Sequence, residues 1–579
     1  MHYRVFYTNT STQFIHFELT IEGISQDETF IRIPAWRPGR YELGNFAKNI
    51  RNWKAFDQNG RQLAAHKVER ERWTVNTAGV KTLVIKYEVY AGILNAGSTY
   101  LDEHQLYMNP VNCCCFAEGR EQERCEMLLE VPDHYTIATG LEKSSLNKKL
   151  VSAPNFDQLA DRPLIASPSL KHVGFKVRDL DVNLWFQGEC KIEPVRLTND
   201  FSRFIEEQIL AYGEFPEPEY HFLYQITPHK THHGVEHENS TVCMIGPTFH
   251  LFGASYDEFL SLSSHEFYHS WNIKKIRPAE MLPYDLTQEN YSRLGYVAEG
   301  VTTYYGDYMC YRSKVFTMMH FFGALEDLLD KHLHNYGRYN MPVSEASFDT
   351  WIDGYEAGVP NRKTSIYTEG AICALITDIY IIKESNFQYS LDNVMYDLYH
   401  EYAKKGLGYT EEIYKGLIEK YLGKDFGWFF DKYVNGTDNV EQELVKVLSW
   451  VGLEFSAEPN PQPYEKNLGC KVSEESLKFT HIAPGSPAEK CGIMIGEQIA
   501  SINSFTVTGS NLKHWFNYFK NDEIQIRVRT IDNRIRHITV PPCENNYYAV
   551  HKIRIMSDAS ETQCTLFEKW TKNSIRQII

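Results

Sequence analysis

The chain has little that would take it to a membrane or to nucleic acid. No apolar run approaches the length of a membrane span, and no basic segment followed by an apolar stretch stands at the amino terminus. We therefore expect a cytoplasmic protein without a membrane span. The formal net charge of −16 argues against nucleic acid as a partner. No sequence period recurs, which excludes a solenoid.

Cysteine pairing is a second absence. Twelve Cys are present, but no CxxC pair and no Cys–His spacing typical of a structural zinc site occurs among them. Three are consecutive, at Cys113, Cys114 and Cys115, and the others are scattered singly. This arrangement predicts reduced, mostly buried thiols rather than a disulfide framework.

What the chain does have is enough length and apolar content for several cores. Its 579 residues are 43% hydrophobic, and their pattern predicts a multidomain α+β protein. Short alternating runs predict an N-terminal antiparallel β-sandwich over 1–170, and longer helical spacing predicts a mainly helical domain over 171–455. Three Pro between 459 and 463 mark a linker, after which strand patterns return over 464–545. We expect a helical tail over 546–579.

The most informative segment reads His265-Glu266-Phe267-Tyr268-His269. On a helix, side chains four residues apart share one face, so two imidazoles reach one metal ion while the intervening Glu points at a water molecule on it. These are the ligand pair and the general base of a zinc hydrolase. The helical context is present, because Ser255 to Glu258 reads as a capping box and no Pro or Gly interrupts the run to Asn272.

A pair of His is weak support by itself. With 22 His in the chain, an HExxH arises by chance with a probability of roughly one in twenty. Glu299 stands in an apolar helical pattern, where an unpaired carboxylate is costly to bury and metal ligation removes that cost. We therefore predict a zinc site formed by His265, His269 and Glu299, with Glu266 as the base. The alternative is a helix with surface His and an ordinary exposed Glu.

Other segments carry a family resemblance. The HExxH segment continues as Ser270-Trp271-Asn272 and Arg277-Pro278, and the chain also contains Pro34-Ala35-Trp36-Arg37-Pro38-Gly39-Arg40-Tyr41 and Ser347-Phe348-Asp349-Thr350-Trp351. In these segments the chain resembles the glycyl aminopeptidase family of gluzincin metallopeptidases. The resemblance implies a thermolysin-like, mainly helical zinc peptidase domain after the β-sandwich. Residues 465–541, with Gly485-Ser486-Pro487-Ala488, resemble the PDZ domain that this family carries near its C-terminus.

The resemblance also implies site residues. Glu299 opens a segment similar to the family's EGxTxYY block, which implies the third zinc ligand. Gly234-Val235-Glu236-His237 is similar to GGLEH and implies a substrate-binding edge, where Gly234 and His237 flank a Glu236 that binds the free α-ammonium group. Tyr367 resembles the Tyr of the SYYxKG block and implies an O–H donor for the oxyanion. The alternatives are a solvated carboxylate for Glu236 and a packing role for Tyr367.

Three positions depart from the family pattern. His233 replaces the first Gly of GGLEH, so a preference for N-terminal Gly does not carry over directly. Glu369 stands where the family has Lys. Thr303 stands where many gluzincins have an Asp that orients a ligand His, so another group must orient it, with Asp307 as a candidate.

Two functions remain open at this point. The first is a zinc aminopeptidase that removes Gly, Ala or another small residue from short peptides with a free N-terminus. The second is a peptide-binding protein, in which Asn467-Leu468-Gly469-Cys470 of the PDZ-like segment captures a peptide C-terminus and the peptidase domain is inactive or an endopeptidase. Glu266 and Glu299 favour the first, because an inactive scaffold has no chemical need for the base.

Overall fold

The structure is a computed structural model and describes residues 1–353 and 358–575. The chain forms two compact units by its internal contacts. The first comprises Met1–Thr317, Ser347–Glu356 and Tyr389–Tyr421, and the second comprises Met318–Ala346, Ala357–Gln388 and Leu422–Ile579. The HExxH segment, Glu236 and Glu299 therefore all belong to the first unit.

The N-terminal β-domain contains three sheets that share one apolar core. Alternation builds this core: along Phe14–Glu22, the side chains of Ile15, Phe17, Leu19 and Ile21 are buried, while those between them are not. In spatial order the three sheets are Glu142–Lys143, Leu150–Ala153, Cys125–Glu130, His2–Phe6, Phe14–Glu22, Thr82–Tyr90 and Ile50–Phe56; then Phe116–Ala117, Glu28–Arg32, Arg72–Asn76 and Ala65–Glu69; and Thr136–Thr139, Leu164–Ser167, Leu106–Met108 and Tyr100–Leu101.

The prediction of a purely antiparallel β-domain is wrong at one strand pair. His2–Phe6 pairs in parallel with Cys125–Glu130, although it pairs antiparallel with Phe14–Glu22. Side chains alternate in the same way in both kinds of pairing, so the periodicity of a strand carries no information on the direction of a distant partner.

A mixed five-stranded sheet supports the candidate site. Its strands in spatial order are Lys171–Val177, Leu180–Gln187, Glu219–Ile226, Ser240–Gly246 and Thr231–Glu236. Its central strand pairs in parallel with both neighbours, which requires crossover connections. The last strand, Thr231–Glu236, forms an edge of the sheet and is followed by a tight turn in which His237 N–H donates to Ser240 O at 2.9 Å.

Helices make up most of the rest of the chain. One crossover is the helix Pro194–Tyr212, which starts with Pro in its first turn and ends at Gly213 with φ 85°. The other α-helices are Phe156–Ala160, Tyr256–Tyr268, Thr302–Arg312, Met318–Leu333, Val343–Phe348, Thr350–Asp353, Ile366–Glu384, Leu391–Asp397, Glu411–Leu422, Gly427–Phe429, Glu441–Trp450, Pro487–Lys490, Gly509–Tyr518 and Glu561–Thr571. π-Helical turns are Tyr296–Val301, Leu398–Tyr402, Phe430–Val434 and Tyr464–Leu468. Short 3-10 helices are Thr10–Thr12, Phe46–Asn49, Pro110–Asn112, Thr248–His250, Ala279–Met281, Tyr336–Tyr339 and Ala403–Lys405.

The segment after the Pro-rich linker has its own apolar core within the second unit. Its strands are Cys470–Val472, Phe479–Ile482, Gln498–Ile502, Phe505–Thr506, Ile524–Arg529 and Ile535–Val540. In the predicted carboxylate-binding loop, the Gly469 N–H already donates to Glu465 O at 3.1 Å, so this donor is not available to a peptide terminus. The PDZ assignment stays a prediction.

The C-terminal segment differs from the predicted helical tail. It begins with the strand Val550–Ile555, which pairs antiparallel with Leu453–Glu458, and only then forms helix Glu561–Thr571. The strand alternates, with His551 and Ile553 buried. Its partner lies about a hundred residues earlier, which a reading of local pattern does not reveal.

Two further predictions concern features that we expect the chain to lack, namely disulfide bonds and membrane-spanning helices. All twelve Cys are free thiols, as predicted, and all except Cys491 and Cys543 are buried. Among residues 1–353 and 358–575, no helix is both long enough and apolar enough to cross a lipid bilayer.

Candidate metal centre and substrate cleft

The first two candidate ligands lie at the end of a buried helix. Helix Tyr256–Tyr268 carries His265 and Glu266, and His269 is its C-cap residue. The predicted capping box is wrong, because Ser255 has φ −103° and ψ 13° and its side chain makes no capping hydrogen bond. An N-cap hydroxyl reaches the first turn from an extended backbone, which Ser255 lacks. The two imidazoles still face each other, with their Nε2 atoms 3.1 Å apart.

Glu299 joins them from a second helical segment. It lies in the π-helical turn Tyr296–Val301, which runs directly into helix Thr302–Arg312. Such turns are frequent at functional sites, where one extra residue redirects the side chains. Glu299 Oε2 lies 3.4 Å from His269 Nε2 and 4.0 Å from His265 Nε2. The structure thus brings together the three residues that the sequence indicated as ligands.

The geometry of this set fits a tetrahedral metal ion. Ligands at the usual zinc distances lie about 3.4 Å from one another, close to the separations found here. His269 Nδ1 lies 2.7 Å from the carbonyl oxygen of Asn272 and donates to it, which leaves Nε2 as the ring atom that would ligate a metal ion. Glu299 is 2% exposed, and a carboxylate buried to that extent needs a positive partner.

Burial and nearby charges set the protonation of this set. Burial, followed by the proximity of His269, holds the pKa of His265 well below its usual value, so this imidazole is neutral and able to ligate. For His269, burial acts to lower the pKa, but the carboxylates of Glu236 and Glu299 raise it to about 10. Burial raises the pKa of Glu299. The site therefore concentrates acidic groups in a dry environment, which a divalent cation would offset.

Glu266 lies next to this set, facing the edge strand. Its Oε2 is 3.5 Å from the Thr241 hydroxyl, and burial raises its pKa to about 8. A carboxyl with such a pKa exchanges protons near neutral pH, as a general base requires. Gly234 provides the space for it, because a Cβ at Gly234 would lie 2.0 Å from Glu266 Oε1.

The edge strand ends in a third buried carboxylate of the site, that of Glu236. Alternate residues of a strand share a face, so Glu236 lies on the same face as Gly234. Polar side-chain atoms of Glu236, Glu266 and His269 all lie within 4.8 Å of one another. Glu236 is 4% exposed, and its Oε1 has no hydrogen-bond partner among the residues that the structure describes. A ligand with a positive charge would satisfy this oxygen.

The N-terminal β-domain closes the other side of Glu236. Gly39 has φ 87°, and a Cβ there would lie 2.6 Å from Glu236 Oε2. In the same segment, the Trp36 ring packs edge-on against Trp351, with 5.1 Å between the ring centroids. Two sequence blocks that carry the family resemblance therefore meet beside the cleft.

His237, which follows Glu236, is held by a carboxylate from the β-domain. Its Nδ1 lies 3.2 Å from Asp161 Oδ1, which also accepts a hydrogen bond from Lys274 Nζ at 2.7 Å. Burial lowers the pKa of His237. Its Nε2 is buried and has no hydrogen-bond partner within the described part of the chain.

Two family models match the chain. The model of the Peptidase M61 N-terminal domain matches residues 2–168, and that of the M61 glycyl aminopeptidase matches residues 258–373, which include the HExxH segment and Glu299. These two segments are therefore similar to the N-terminal and catalytic domains of the M61 peptidase family. A comparison with curated proteins finds no match.

One solved structure is similar over nearly the whole chain. An aminopeptidase N family protein from Idiomarina loihiensis is 25% identical, with a TM-score of 0.91 over 98% of this chain and 99% of its own. An M1 zinc metallopeptidase from Deinococcus radiodurans is 11% identical, with a TM-score of 0.46 over 76% of this chain and 94% of its own. The second score is too low to support an argument.

Two predicted features of the M61 catalytic segment lie in the second unit. Tyr367 is in the first turn of helix Ile366–Glu384, and its part in the chemistry stays a prediction. Glu369, which replaces the family's Lys, lies in the same first turn and accepts hydrogen bonds from His332 Nδ1 at 2.7 Å and from the Thr364 hydroxyl at 3.2 Å. These partners compensate the charge that the substitution introduces.

Two residues of the M61 site were not singled out from the sequence. The Asn272 carbonyl accepts a hydrogen bond from the imidazole of His269, a candidate ligand, while its side chain donates to Val297 O at 2.9 Å and Ala298 O at 3.2 Å, next to Glu299. Every residue has a backbone carbonyl, so the residue type at 272 does not indicate this hydrogen bond, although the family block contains this Asn. Asp161 is remote in sequence from every partner it holds. The role suggested for Asp307 stays a prediction.

A second group of metal-ligating residues lies in the second unit. Asp330, His334 and His551 place polar atoms within 4.8 Å of one another. These atoms are already paired, since His551 Nδ1 lies 2.7 Å from Asp330 Oδ1 and His334 Nε2 lies 2.7 Å from Ala549 O. We therefore assign no ion to this group.

Proposed function

We propose that the protein is a zinc aminopeptidase that removes a small N-terminal residue, such as Gly or Ala, from short peptides with a free N-terminus. The place of Glu236 carries this proposal: it is buried, lacks a described partner at Oε1, and lies within 4.8 Å of Glu266 and His269 atoms. A carboxylate so close to the reacting centre binds one α-ammonium group and leaves room for a single residue before the scissile bond.

The chemistry assigns separate roles to the side chains. His265, His269 and Glu299 would hold a zinc ion, which supplies a Lewis acid that acidifies a water molecule and polarises the scissile carbonyl. Glu266 takes a proton from the attacking water and delivers it to the leaving amine. Burial raises the pKa of Glu266, which strengthens it as a proton acceptor.

Glu236 separates an aminopeptidase from an endopeptidase. A free α-ammonium group forms charge-assisted hydrogen bonds with this carboxylate. An acetylated N-terminus carries no charge and would leave Glu236 buried and unpaired, at a cost of about 3–5 kcal/mol. The endopeptidase alternative requires Glu236 to point away from the cleft, whereas its carboxylate lies close to Glu266.

The position of His233 supports a preference for small residues despite the departure from GGLEH. On the edge strand it lies on the opposite face from Gly234 and Glu236, so its ring does not fill the space above the base. Burial, followed by the charges of Arg37 and Arg40, lowers its pKa to about 4, so the imidazole is neutral at physiological pH. The substitution therefore adds no charge to the cleft.

Tyr367 is included in the proposal as the oxyanion donor on the strength of the resemblance. Removal of one such donor costs about 100- to 1000-fold in kcat. Tyr367→Phe should therefore lower kcat by that factor at unchanged KM, and a variant with wild-type kcat would remove Tyr367 from the mechanism. Capture of a peptide C-terminus by the PDZ-like segment has no comparable support, since the Gly469 N–H is already bonded.

The experiment combines metal content with substrate choice. Zinc is measured by mass spectrometry, and hydrolysis is measured with Gly, Ala, Leu and Glu p-nitroanilides and with their N-acetyl forms. Wild type is compared with Glu266→Gln and with Glu103→Gln, a control at an exposed carboxylate. We expect one equivalent of zinc in all three proteins, cleavage of free-amine substrates with Gly and Ala preferred, and a loss of about 100-fold or more in Glu266→Gln alone.

Two results would contradict the proposal. Equal hydrolysis of acetylated and free-amine substrates would exclude a role for Glu236 in binding the N-terminus. Turnover that survives Glu266→Gln at full rate would exclude the mechanism.

A further inference from the structure

A carboxylate of the β-domain makes contacts on both sides of the cleft. Asp161 directly follows the short helix Phe156–Ala160 and accepts three hydrogen bonds. The donors are Lys274 Nζ at 2.7 Å, His237 Nδ1 at 3.2 Å and the Glu238 backbone N–H at 2.9 Å. All three donors belong to segments that follow the β-domain in the chain.

One of these donors leads to the metal centre. Lys274 comes five residues after His269, and its backbone N–H donates to His269 O at 3.0 Å. Its side chain is buried and ends on Asp161. The Lys274 side chain therefore connects the main chain of a metal ligand to Asp161.

The other two donors lead to Glu236. His237 and Glu238 follow it directly, and the pairing of the edge strand ends at Glu236 opposite Thr241. Beyond this pair the chain makes one further main-chain bond to the neighbouring strand, from His237 N–H to Ser240 O at 2.9 Å. The two bonds to Asp161, one from the His237 side chain and one from the Glu238 main chain, hold the two residues after Glu236 and so restrict where its carboxylate lies.

The charges make Asp161 hard to replace with a neutral group. Burial acts to raise the pKa of Asp161, but Lys274 and His237 hold it below the usual value. For Lys274, burial acts to lower the pKa, and Asp161 raises it. The contact between Asp161 and Lys274 is a short charge-assisted hydrogen bond between buried groups, which a neutral side chain at 161 would weaken.

We propose that Asp161 is a positioning residue that sets the separation between the metal centre and the ammonium-binding carboxylate of Glu236. This inference rests on the aminopeptidase function proposed above. In this inference, the β-domain contributes to the preference for substrates with a free N-terminus. A change at Asp161 weakens the binding of an α-ammonium group and leaves the metal ligands and Glu266 in place.

The test uses a pair of inhibitors that differ in one charge. Alanine hydroxamate and N-acetylalanine hydroxamate both bind zinc through the hydroxamate group, but only the first offers an ammonium group to Glu236. In wild type we expect the first to bind at least about 30-fold more tightly. In Asp161→Asn this ratio should fall about tenfold, with KM raised for free-amine substrates, kcat within about threefold and one equivalent of zinc retained.

Two further variants control the test. Asp57 is a matched carboxylate of the same β-domain that also accepts three hydrogen bonds, from Asn59 N at 2.9 Å and from Arg61 N at 2.9 Å and Nε at 3.1 Å. Asp57→Asn should leave the inhibitor ratio unchanged. The double variant Asp161→Asn with Lys274→Met removes both buried charges, so it avoids an unpaired ammonium group and should show the same fall in ratio.

The outcomes separate this inference from the function on which it rests. If wild type does not prefer the free-amine inhibitor, the proposed aminopeptidase function fails. If wild type does, and both Asp161 variants keep the full ratio, the positioning role alone fails. Loss of zinc or of the fold in both variants would also overturn it, because Asp161 would then serve stability.

Discussion

Replacing Gly234 with Ala tests the place of the general base without removing it. A Cβ at Gly234 would lie 2.0 Å from Glu266 Oε1 and 2.4 Å from its Cδ. Non-bonded heavy atoms rest about 3.5 Å apart, so the carboxyl group must retreat by more than about 1 Å. The backbone of Gly234 has no positive φ, so Ala adds no backbone strain there. The displaced carboxyl is therefore the main consequence of the substitution.

The size of the effect follows from this displacement. Misplacing a reacting group by about 1 Å costs about 100-fold in rate, equivalent to about 2.7 kcal/mol of activation free energy. The three atoms nearest to the new methyl group all belong to Glu266 and none to a candidate metal ligand, so the base takes the main displacement. We therefore expect kcat to fall about 100-fold with KM within about threefold of wild type and zinc content unchanged.

The assay is initial-rate hydrolysis of alanine p-nitroanilide, with zinc content and thermal unfolding measured on the same samples. Gly416→Ala is the control, because a Cβ at Gly416 in helix Glu411–Leu422 meets no atom within 4 Å. A folded, zinc-loaded Gly234→Ala enzyme with wild-type kcat would refute the reasoning, since Glu266 would then act from elsewhere or have no part in the rate.

Three other perturbations separate the remaining parts of the site. Gly39→Ala brings a Cβ to 2.6 Å from Glu236 Oε2 at a residue with φ 87°. It should raise KM for free-amine substrates about tenfold with little change in kcat. The control Gly60→Ala also has a positive φ, but its Cβ meets no atom within 4 Å, so both kinetic constants should stay unchanged. Glu299→Gln keeps the shape but loses the charge, so zinc affinity measured by chelator competition should fall at least about 100-fold, and unchanged affinity would exclude Glu299 as a ligand. The pKa of His233 is lowered to about 4 by burial and then by neighbouring Arg charges, against about 6.5 in the unfolded chain. Its contribution to stability is therefore complete above pH 6.5 and is lost as the pH falls towards 4. Urea unfolding at pH 7.5 and pH 5 should show a smaller loss for His233→Gln than for wild type, and equal losses would contradict the assignment.

Local patterns made part of the fold predictable. The β-rich N-terminal domain and the helical peptidase domain follow from alternation and helical spacing, because each reflects one buried face. The parallel partner of His2–Phe6 and the pairing of Val550–Ile555 with Leu453–Glu458 did not follow. Both depend on contacts about a hundred residues apart in sequence, which local periodicity does not encode.

The residues of the candidate site also fall into those that local sequence patterns predict and those that they do not. The spacing of His265 and His269 follows from helix geometry, and the cost of burying Glu299 marks it as a ligand candidate within one apolar segment. Asn272 and Asp161 could not be found in this manner. Asn272 orients a ligand through its main chain, and Asp161 acts through partners 76 to 113 residues away.

The residues that local sequence patterns predict and the β-domain residue that they do not predict belong to different domains, for which we propose different functions. The residues assigned to bond cleavage, Glu266 and the metal ligands, lie within one stretch of the catalytic domain. In the role proposed for the β-domain, Gly39 leaves the space that the Glu236 carboxylate occupies, and Asp161 binds the two residues that follow Glu236. Changes in the β-domain should therefore alter KM and the choice between free and blocked N-termini before they alter kcat or zinc content. If the proposal holds, a variant that lacks Asp161 keeps the candidate ligands and Glu266 but no longer holds Glu236 at one residue's length from the scissile bond.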